Sequence, residues 1–472
     1  MMKYAFYIGL VLNGLVAFAW AEGYESLPAA VQVRTDFGAG KLSIEEIASM
    51  AIDKGLGAVV FTEPDVQRVS YGVPFLRNLL PFSYEKRSLY ADDTVGKYLN
   101  QVVRASEEHP ELVLIDGVES RPFYYWGTFG DGPWPLRQWD KRLAAIGLGD
   151  SEAYRELPVS GGRGLWVWHG ASLLLLWPLF GVAYALIARA HPLALRIVIG
   201  VVSLLCLVDN APYKMPLWDP YKGDLGPAPY QYYIDYVGEL GGLVLWLPTD
   251  PRASEQEIGL LGGRLAAAVP PAGKFEELLR TYDYTAFAAL HTGRATEAEP
   301  GKLWDKILVQ YLRGTRQRPV WAFGSADYQG GEGFDQVLTV FSVRERSRAG
   351  LFEALQRGRM YAVQGGGQRL SLQSFAARSA DQQVGAGETL VGDGPVQISA
   401  IVANVQGTAA QVRARLVRSG KVVEQFQGTT PLTIRHVDSD LSAGQKVYYR
   451  LLVQSADSRL VSNPIFAEGA AE

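Results

Sequence analysis

Residues Val31 to Asp65, VQVRTDFGAGKLSIEEIASMAIDKGLGAVVFTEPD, read as strand, glycine turn, helix and strand, and no other stretch restricts the fold as much. Ser43 and Glu46 have capping-box spacing, in which each side chain accepts an amide left free at a helix start. Ile44, Ile47, Ala48, Ala51 and Ile52 then share one helical face, and Gly55 supplies a left-handed stop. Ala58 to Phe61 is apolar without alternation, as a strand buried on both faces is. Thr62-Glu63-Pro64-Asp65 follows at the strand's carboxyl end, where parallel α/β folds place their chemistry.

The form recurs along the chain. Leu112 to Ile115 leads into Asp116-Gly117-Val118-Glu119, Leu243 to Leu247 into Pro248-Thr249-Asp250, and Tyr284 to Leu290 into His291. Val320 to Phe323 leads into Gly324-Ser325-Ala326-Asp327-Tyr328. Helical patterns at Tyr98 to Ser106, Tyr232 to Leu240, Leu303 to Leu312 and Ser347 to Gln356 alternate with these runs. That order predicts an α/β barrel or doubly wound sheet, with the barrel preferred. Past Gly365-Gly366-Gly367 the period changes. Alternating runs at 412–416, 422–426, 432–436, 447–453 and 461–466 predict an Ig-like β-sandwich over 368–472, with a structural or adhesive task.

Leu165 to Ala188 contains no charge and as a helix spans about 36 Å, against a hydrocarbon core of about 30 Å. After Arg189-Ala190-His191-Pro192 a second apolar run, Leu193 to Val208, carries Arg196 near its start, where it can snorkel. The expected unit is a transmembrane hairpin over 165–209; the alternative is a buried hairpin in a soluble core. Arginines flanking the turn place it in the cytoplasm and both large segments outside. The N-terminus agrees. Lys3, the apolar stretch Tyr4 to Trp20 and Ala19-Trp20-Ala21 read as a signal peptide over 1–21 or an uncleaved anchor. The expected location is the inner membrane, with both large segments periplasmic or extracellular. Tyr124, Tyr125, Trp126, Trp134 and Trp139 are expected to form an aromatic belt at the interface rather than a sugar-stacking surface.

Composition removes several classes. A length of 472 residues leaves room for two or three domains, and a formal charge of -4 without a basic block argues against nucleic acid as a partner. Cys206 is the only cysteine, so neither an internal disulfide nor a cysteine metal cluster can form.

Several motifs resemble those of the PHP family, named for polymerase and histidinol phosphatase. Its members typically begin with His-x-His, a Ser-Asp-Gly turn, Lys-Leu-Ser and a helix, then a strand ending Thr-Asp-His-Asp. Gly40-Lys41-Leu42-Ser43 and Lys54-Gly55-Leu56 match this, and Gly117-Val118-Glu119 resembles the family's Gly-x-Glu. Gly241-Gly242-Leu243 with Pro248 resembles its Gly-Gly, strand, His-Pro element, and Gly324-Ser325-Ala326-Asp327 its Gly-Ser-x-Asp-x-His. Glu353-Ala354-Leu355 with Gly358-Arg359 resembles its last helix, and Ser462-Asn463-Pro464-Ile465 the end of the sandwich appended to exported members. The resemblance implies a distorted (β/α)7 barrel with a metal site, here in two parts, 22–164 and 210–367.

Most of the ligands that the resemblance implies are replaced. Gln32 and Arg34 stand for His-x-His, Glu63 and Pro64 for Asp-His, Leu247 for the histidine before proline, and Gln329 for the last histidine. Glu119 and Asp327 are unchanged. An arginine keeps its charge in a protein and cannot ligate a cation, so Arg34 is expected to pair with these carboxylates. The preferred expectation is a pseudo-enzyme without metal or other cofactor, in which Gln32, Arg34, Glu63 and Gln329 hold an anionic small molecule or an envelope protein. The alternative is a phosphoesterase or amidohydrolase with one divalent metal, zinc or manganese, held by Glu119, Asp327 and His291, with a carboxylate as general base. A third has the barrel inert and the hairpin and sandwich acting as a scaffold. His291 can also be read as a strand-end histidine bonded to a backbone carbonyl. His109, His169, His191 and His436 fall away from the expected pocket, and Asp65 and Asp250 are expected to cap helices or face solvent.

Overall fold

The computed structural model describes residues 23–73, 76–90, 94–127, 135–211, 213–248, 256–260, 265–269, 276–292, 297–380 and 382–470. The expected signal or anchor segment, Trp134 and Asp250 lie outside the described residues.

The first βαβ unit forms as its pattern predicts. Ser43 N donates to Glu46 Oε2 at 2.8 Å and Glu46 N to Ser43 Oγ at 3.2 Å, closing the capping box. The helix Ile44–Asp53 buries Ile44, Ile47, Ala48 and Ala51, and Gly55 takes φ 68°. Strand Ala58–Phe61 is buried throughout and runs parallel to Glu25–Val33 and to Val113–Ile115.

Two sheets share these chains. After Thr62 the chain re-enters strand geometry as Glu63–Pro64, and after Asp116 as Gly117–Ser120, both now in a second, six-stranded sheet. That sheet continues through Leu143–Ile146, Leu243–Trp246, Ala286–Leu290 and Trp321–Gly324. Leu143–Ile146 is antiparallel to both neighbours, so this is a mixed sheet. Beyond its last strand the backbone returns to the first. Ala326 N donates to Val31 O at 2.8 Å, Tyr328 N to Gln32 O at 3.0 Å, and Arg34 N to Tyr328 O at 2.9 Å.

The C-terminal strands Lys446–Gln454, Arg459–Ser462 and Ile465–Gly469 belong to the same sheet as the first βαβ unit. Met360–Gln364 pairs with Val337–Val343 on one side and Arg459–Ser462 on the other. Leu370–Ser379, Val396–Asn404 and Leu432–Asp438 form a separate sheet with Gln382–Gly385. Asp305, on helix Leu303–Leu312, locks the two regions. Its carboxylate accepts Arg450 Nε and Nη2 at 2.8 Å each and the Tyr448 hydroxyl at 2.7 Å, all in the interior.

The apolar run folds as a 3-10 turn Gly170–Leu176, helix Pro178–Ile187, a turn, and helix Leu193–Asp209. Among the described residues, Gly170–Ile187 is the one helical stretch that is long and apolar enough to cross a membrane. The helix begins at Gly170 rather than Leu165 because Trp166–Val167 pairs with Met215–Pro216. Phe180 and Ile187 are 81% and 77% exposed. Arg196 donates to the carbonyls of Ala185 and Leu186, satisfying the helix end.

The segments between strand ends carry three hairpins: Arg68–Val73 with Leu76–Glu85, Tyr125–Trp126 with Leu136–Arg137, and Gln256–Leu260 with Leu265–Val269. Tyr124, Trp126 and Trp139 are buried in a satellite core with Val69, Leu136 and Ile258. This replaces the expected lipid-facing belt at those three positions, because the hairpins supply the apolar partners.

Candidate functional site

The carboxyl ends of these strands converge on one buried charge cluster. A bulge between Val31 and Val33 puts Gln32 at φ 68°, and Asp327 across from it sits at φ 44°. Left-handed backbone at a non-glycine residue costs roughly 1–2 kcal/mol. Such strain gathers where a fold holds side chains for a task.

Gln32 Nε2 donates to Asp327 Oδ1 at 3.1 Å and Glu119 Oε2 at 3.4 Å, while Gln32 Oε1 accepts the Ser325 hydroxyl. Arg34 Nη2 lies 2.5 Å from Glu119 Oε2 and 2.9 Å from Asp327 Oδ1, with Nε 3.2 Å from the same Glu119 oxygen. The other Glu119 oxygen meets Arg142 Nη1 at 3.1 Å and Arg121 Nη2 at 3.5 Å. Glu119 is therefore a buried carboxylate flanked on both oxygens by guanidinium groups.

Burial opposes the charge of Glu119, but Arg142, Arg34 and Arg121 outweigh it and hold the carboxyl well below the usual range. Burial likewise opposes the charge of Arg34, and Glu119 with Asp327 raises it above the ordinary arginine value. Burial pulls Arg121 down to about 10, with Glu119 working against it. Arg121 stacks over Trp139 at 4.9 Å and leaves its Nη1 without a partner among the described residues.

Two further carboxyls behave oppositely. Burial pushes Glu63 up to about 8 even though Thr35 N donates to its Oε1. Its Oε2 is buried without a partner among the described residues. Gly38 closes over that oxygen, where an added Cβ would stand 2.5 Å away. Burial pushes Asp65 up to about 7, although Ser120 Oγ and Val66 N both donate to it. Tyr233 donates in turn to Ser120 at 2.8 Å. Asp65 is thus a fully buried member of the site's lower layer, not a helix cap or a solvent-facing acid.

Arg34, Glu119, Asp327, Gln32 and Glu63 are thereby assembled. Gln329 is not; it is exposed on the turn after Asp327. His291 is buried in a recess with Trp246, Leu247, Pro248 and Glu297. Among the described residues no three His, Cys, Asp or Glu side chains form a metal-ligand group, so Glu119, Asp327 and His291 do not converge as one. The donor set does not fit a metal. Both Glu119 oxygens face arginines, and a cation there would meet three guanidinium groups. Arg121 and Arg142 escaped the sequence reading. Arg121 follows Glu119 at alternate spacing on the same chain, which was a usable signal, whereas Arg142 precedes a four-residue strand that no pattern announced.

The fold and site define an α/β protein with a buried arginine–carboxylate cluster at its strand ends. The chain shows distant structural likeness to a two-domain protein of Bacteroides vulgatus containing a predicted PHP-like metal-dependent phosphoesterase. Sequence identity is 11%, coverage is 92% of each chain, and the TM-score is 0.37. It also resembles a protein of Bifidobacterium adolescentis assigned as a metal-dependent phosphoesterase, at 15% identity over 64% of this chain and 87% of that one, with a TM-score of 0.28. Both likenesses are remote and transfer no residue role. No family model and no curated protein matches the chain.

Proposed function

We propose that this is a membrane-anchored, extracytoplasmic PHP-like protein whose strand-end pocket binds an anionic ligand or an acidic group of an envelope partner without metal-dependent hydrolysis. The strands make a distorted (β/α)7 barrel in this reading. Its support is the passage of two chains between the sheets at Thr62 and Asp116 and the return of Tyr328 onto Gln32 and Arg34. The exposed apolar helices over 170–209 serve as the transmembrane hairpin, and 368–472 as the Ig-like sandwich.

One observation carries the reading: Arg34 is clamped between Glu119 and Asp327, where the family resemblance implies metal ligands. Arg121 and Arg142 add positive charge on the far side of Glu119, and Glu63 keeps its proton at neutral pH. Among the described residues, three guanidinium groups thus face Glu119 and Asp327, with Asp65 also acting on Arg121, and Arg121 Nη1 keeps no hydrogen-bond partner. The surplus suits one anionic group, and arginine recognises phosphate and carboxylate through its planar fork.

Calorimetric titration of the detergent-solubilised full chain with inorganic phosphate and with a phosphomonoester tests this. A charge-assisted hydrogen bond contributes about 1.5–3 kcal/mol, so Arg142→Gln is expected to weaken binding at least about tenfold. Unchanged affinity in that variant, or manganese-dependent ester hydrolysis that disappears in Asp327→Asn, would overturn the proposal.

A further inference from the structure

The helix Leu193–Asp209 ends in an aspartate, a residue disfavoured at the negative end of a helix dipole. Asp209 is nevertheless buried, and its Oδ1 accepts Asn78 N and Leu79 N at 2.7 Å each. Asn78 Nδ2 donates to the Asp209 carbonyl oxygen at 2.7 Å. The hairpin strand Leu76–Glu85 is thus tied to the base of the apolar helices. At the tie, Leu79 and Leu80 are adjacent and 40% and 53% exposed.

We infer that the strand Leu76–Glu85 is a membrane-seating element, with Leu79 and Leu80 entering the boundary between lipid headgroups and acyl chains beside the helix Leu193–Asp209. This rests on the membrane reading of that helix pair. The occupant is a lipid surface because the leucines sit beside the apolar helices, whose Phe180, Leu205 and Val208 are also exposed toward that end. The exposed Trp168 precedes the 3-10 turn at the same end, which Asn210 joins through a bond to the Leu175 carbonyl. Tryptophan collects at that depth of a bilayer. Arg77, half-exposed two residues before Leu79, lies over the Tyr221 ring and 3.7 Å from Asp219, and supplies a cation for lipid phosphates in this seating.

The seat also connects with the charge cluster. On its inner side the hairpin accepts the Trp126 indole at the Ser70 carbonyl, 3.2 Å away, and Ser70 N donates to Tyr124. Tyr124 packs edge-on against Trp139, the ring beneath Arg121.

The test uses the full chain with Cys206→Ser, which removes the sole cysteine. Single Leu80→Cys, Leu79→Cys, Phe180→Cys and Val437→Cys variants carry an environment-sensitive fluorophore. They are reconstituted into vesicles of zwitterionic and anionic phospholipid with a quencher on the upper acyl chain. Probes at Leu79, Leu80 and Phe180 are expected to lose most of their fluorescence to the quencher. The probe at Val437, 60% exposed on the C-terminal sheet, is expected to keep it. Quenching at Phe180 with Leu79 and Leu80 as bright as Val437 would overturn the seating inference and leave the span intact. An unquenched Phe180 would overturn both.

Discussion

Replacing Arg34 by methionine keeps an apolar stem in the packed position and removes the guanidinium. Glu119, 1% exposed, would then keep only Gln32 Nε2, at 3.4 Å, on its Oε2. Its Oε1 would retain Arg142 and Arg121. Removing one partner of a buried pair costs about 3–5 kcal/mol, and the remaining arginines place this case at the lower end, about 3 kcal/mol. Asp327 is 28% exposed, so water replaces its lost partner at little cost. At about 2 °C per kcal/mol for a unit of this size, thermal unfolding in detergent micelles should fall by roughly 6 °C at neutral pH. The folded-state pKa of Glu119 is depressed, so its stabilisation is present above the unfolded value of 4.5 and is lost as pH falls through the folded one. Arg34→Met raises that folded value, so the variant and the wild type should converge in acid. Glu119→Gln should also cost less in the Arg34→Met background than alone. Unfolding within about 1 °C of wild type, a shift below the roughly 0.5 kcal/mol scatter of surface changes, would refute the clamp. Strict additivity of Arg34→Met and Glu119→Gln would do the same.

Three further changes bear on the account. Glu63 is raised to about 8 in the folded chain against 4.5 ordinarily, so its contribution to stability is full below 4.5 and is lost as pH rises toward 8. Glu63→Gln should gain stability relative to wild type across that window, with no gain at its acid end; equal pH slopes for the two proteins would count against a neutral Glu63. Arg450→Leu leaves the Asp305 carboxylate buried with the Tyr448 hydroxyl on Oδ1 and Gly301 N on Oδ2 but no cation, and should lower stability by about 3 kcal/mol by thermal scan. A near-wild-type scan would show that the two regions are held together by other contacts. An added Cβ at Gly40 would stand 2.1 Å from the Arg34 carbonyl oxygen, so Gly40→Ala should cost about 1–3 kcal/mol and weaken phosphate binding with it. An unaffected titration would place the turn outside the site.

Much of the frame was legible because it rests on local rules. The capping box at Ser43, the apolar strand Ala58–Phe61 and the helix Leu303–Leu312 each follow from spacing over a few residues. The pairing of Arg34 with Glu119 and Asp327 was legible too, because an arginine among strand-end acids has few alternatives once buried. Features set by distant contacts were not. Leu143–Ile146, antiparallel between two strands, is four apolar residues too short to show a period, and Arg142 arrives with it. The aromatic stretch around Tyr124 and Trp126 had the composition of an interfacial belt, and only the hairpins that cover it reveal a small core. The C-terminal runs alternate clearly, yet the pairing of Met360–Gln364 with Arg459–Ser462 spans too much chain for any pattern to show. Gln329 was expected in the pocket from its motif position, and the left-handed turn at Asp327 leaves it exposed.

The central claim is that arginines occupy the place of a metal. Elemental analysis of the purified full chain, after dialysis against a mild chelator to remove loosely held ions, tests it most directly. The account predicts no stoichiometric zinc, manganese or iron, and the same result for Asp327→Ala. One equivalent of metal in the wild type that is lost in Asp327→Ala would contradict it.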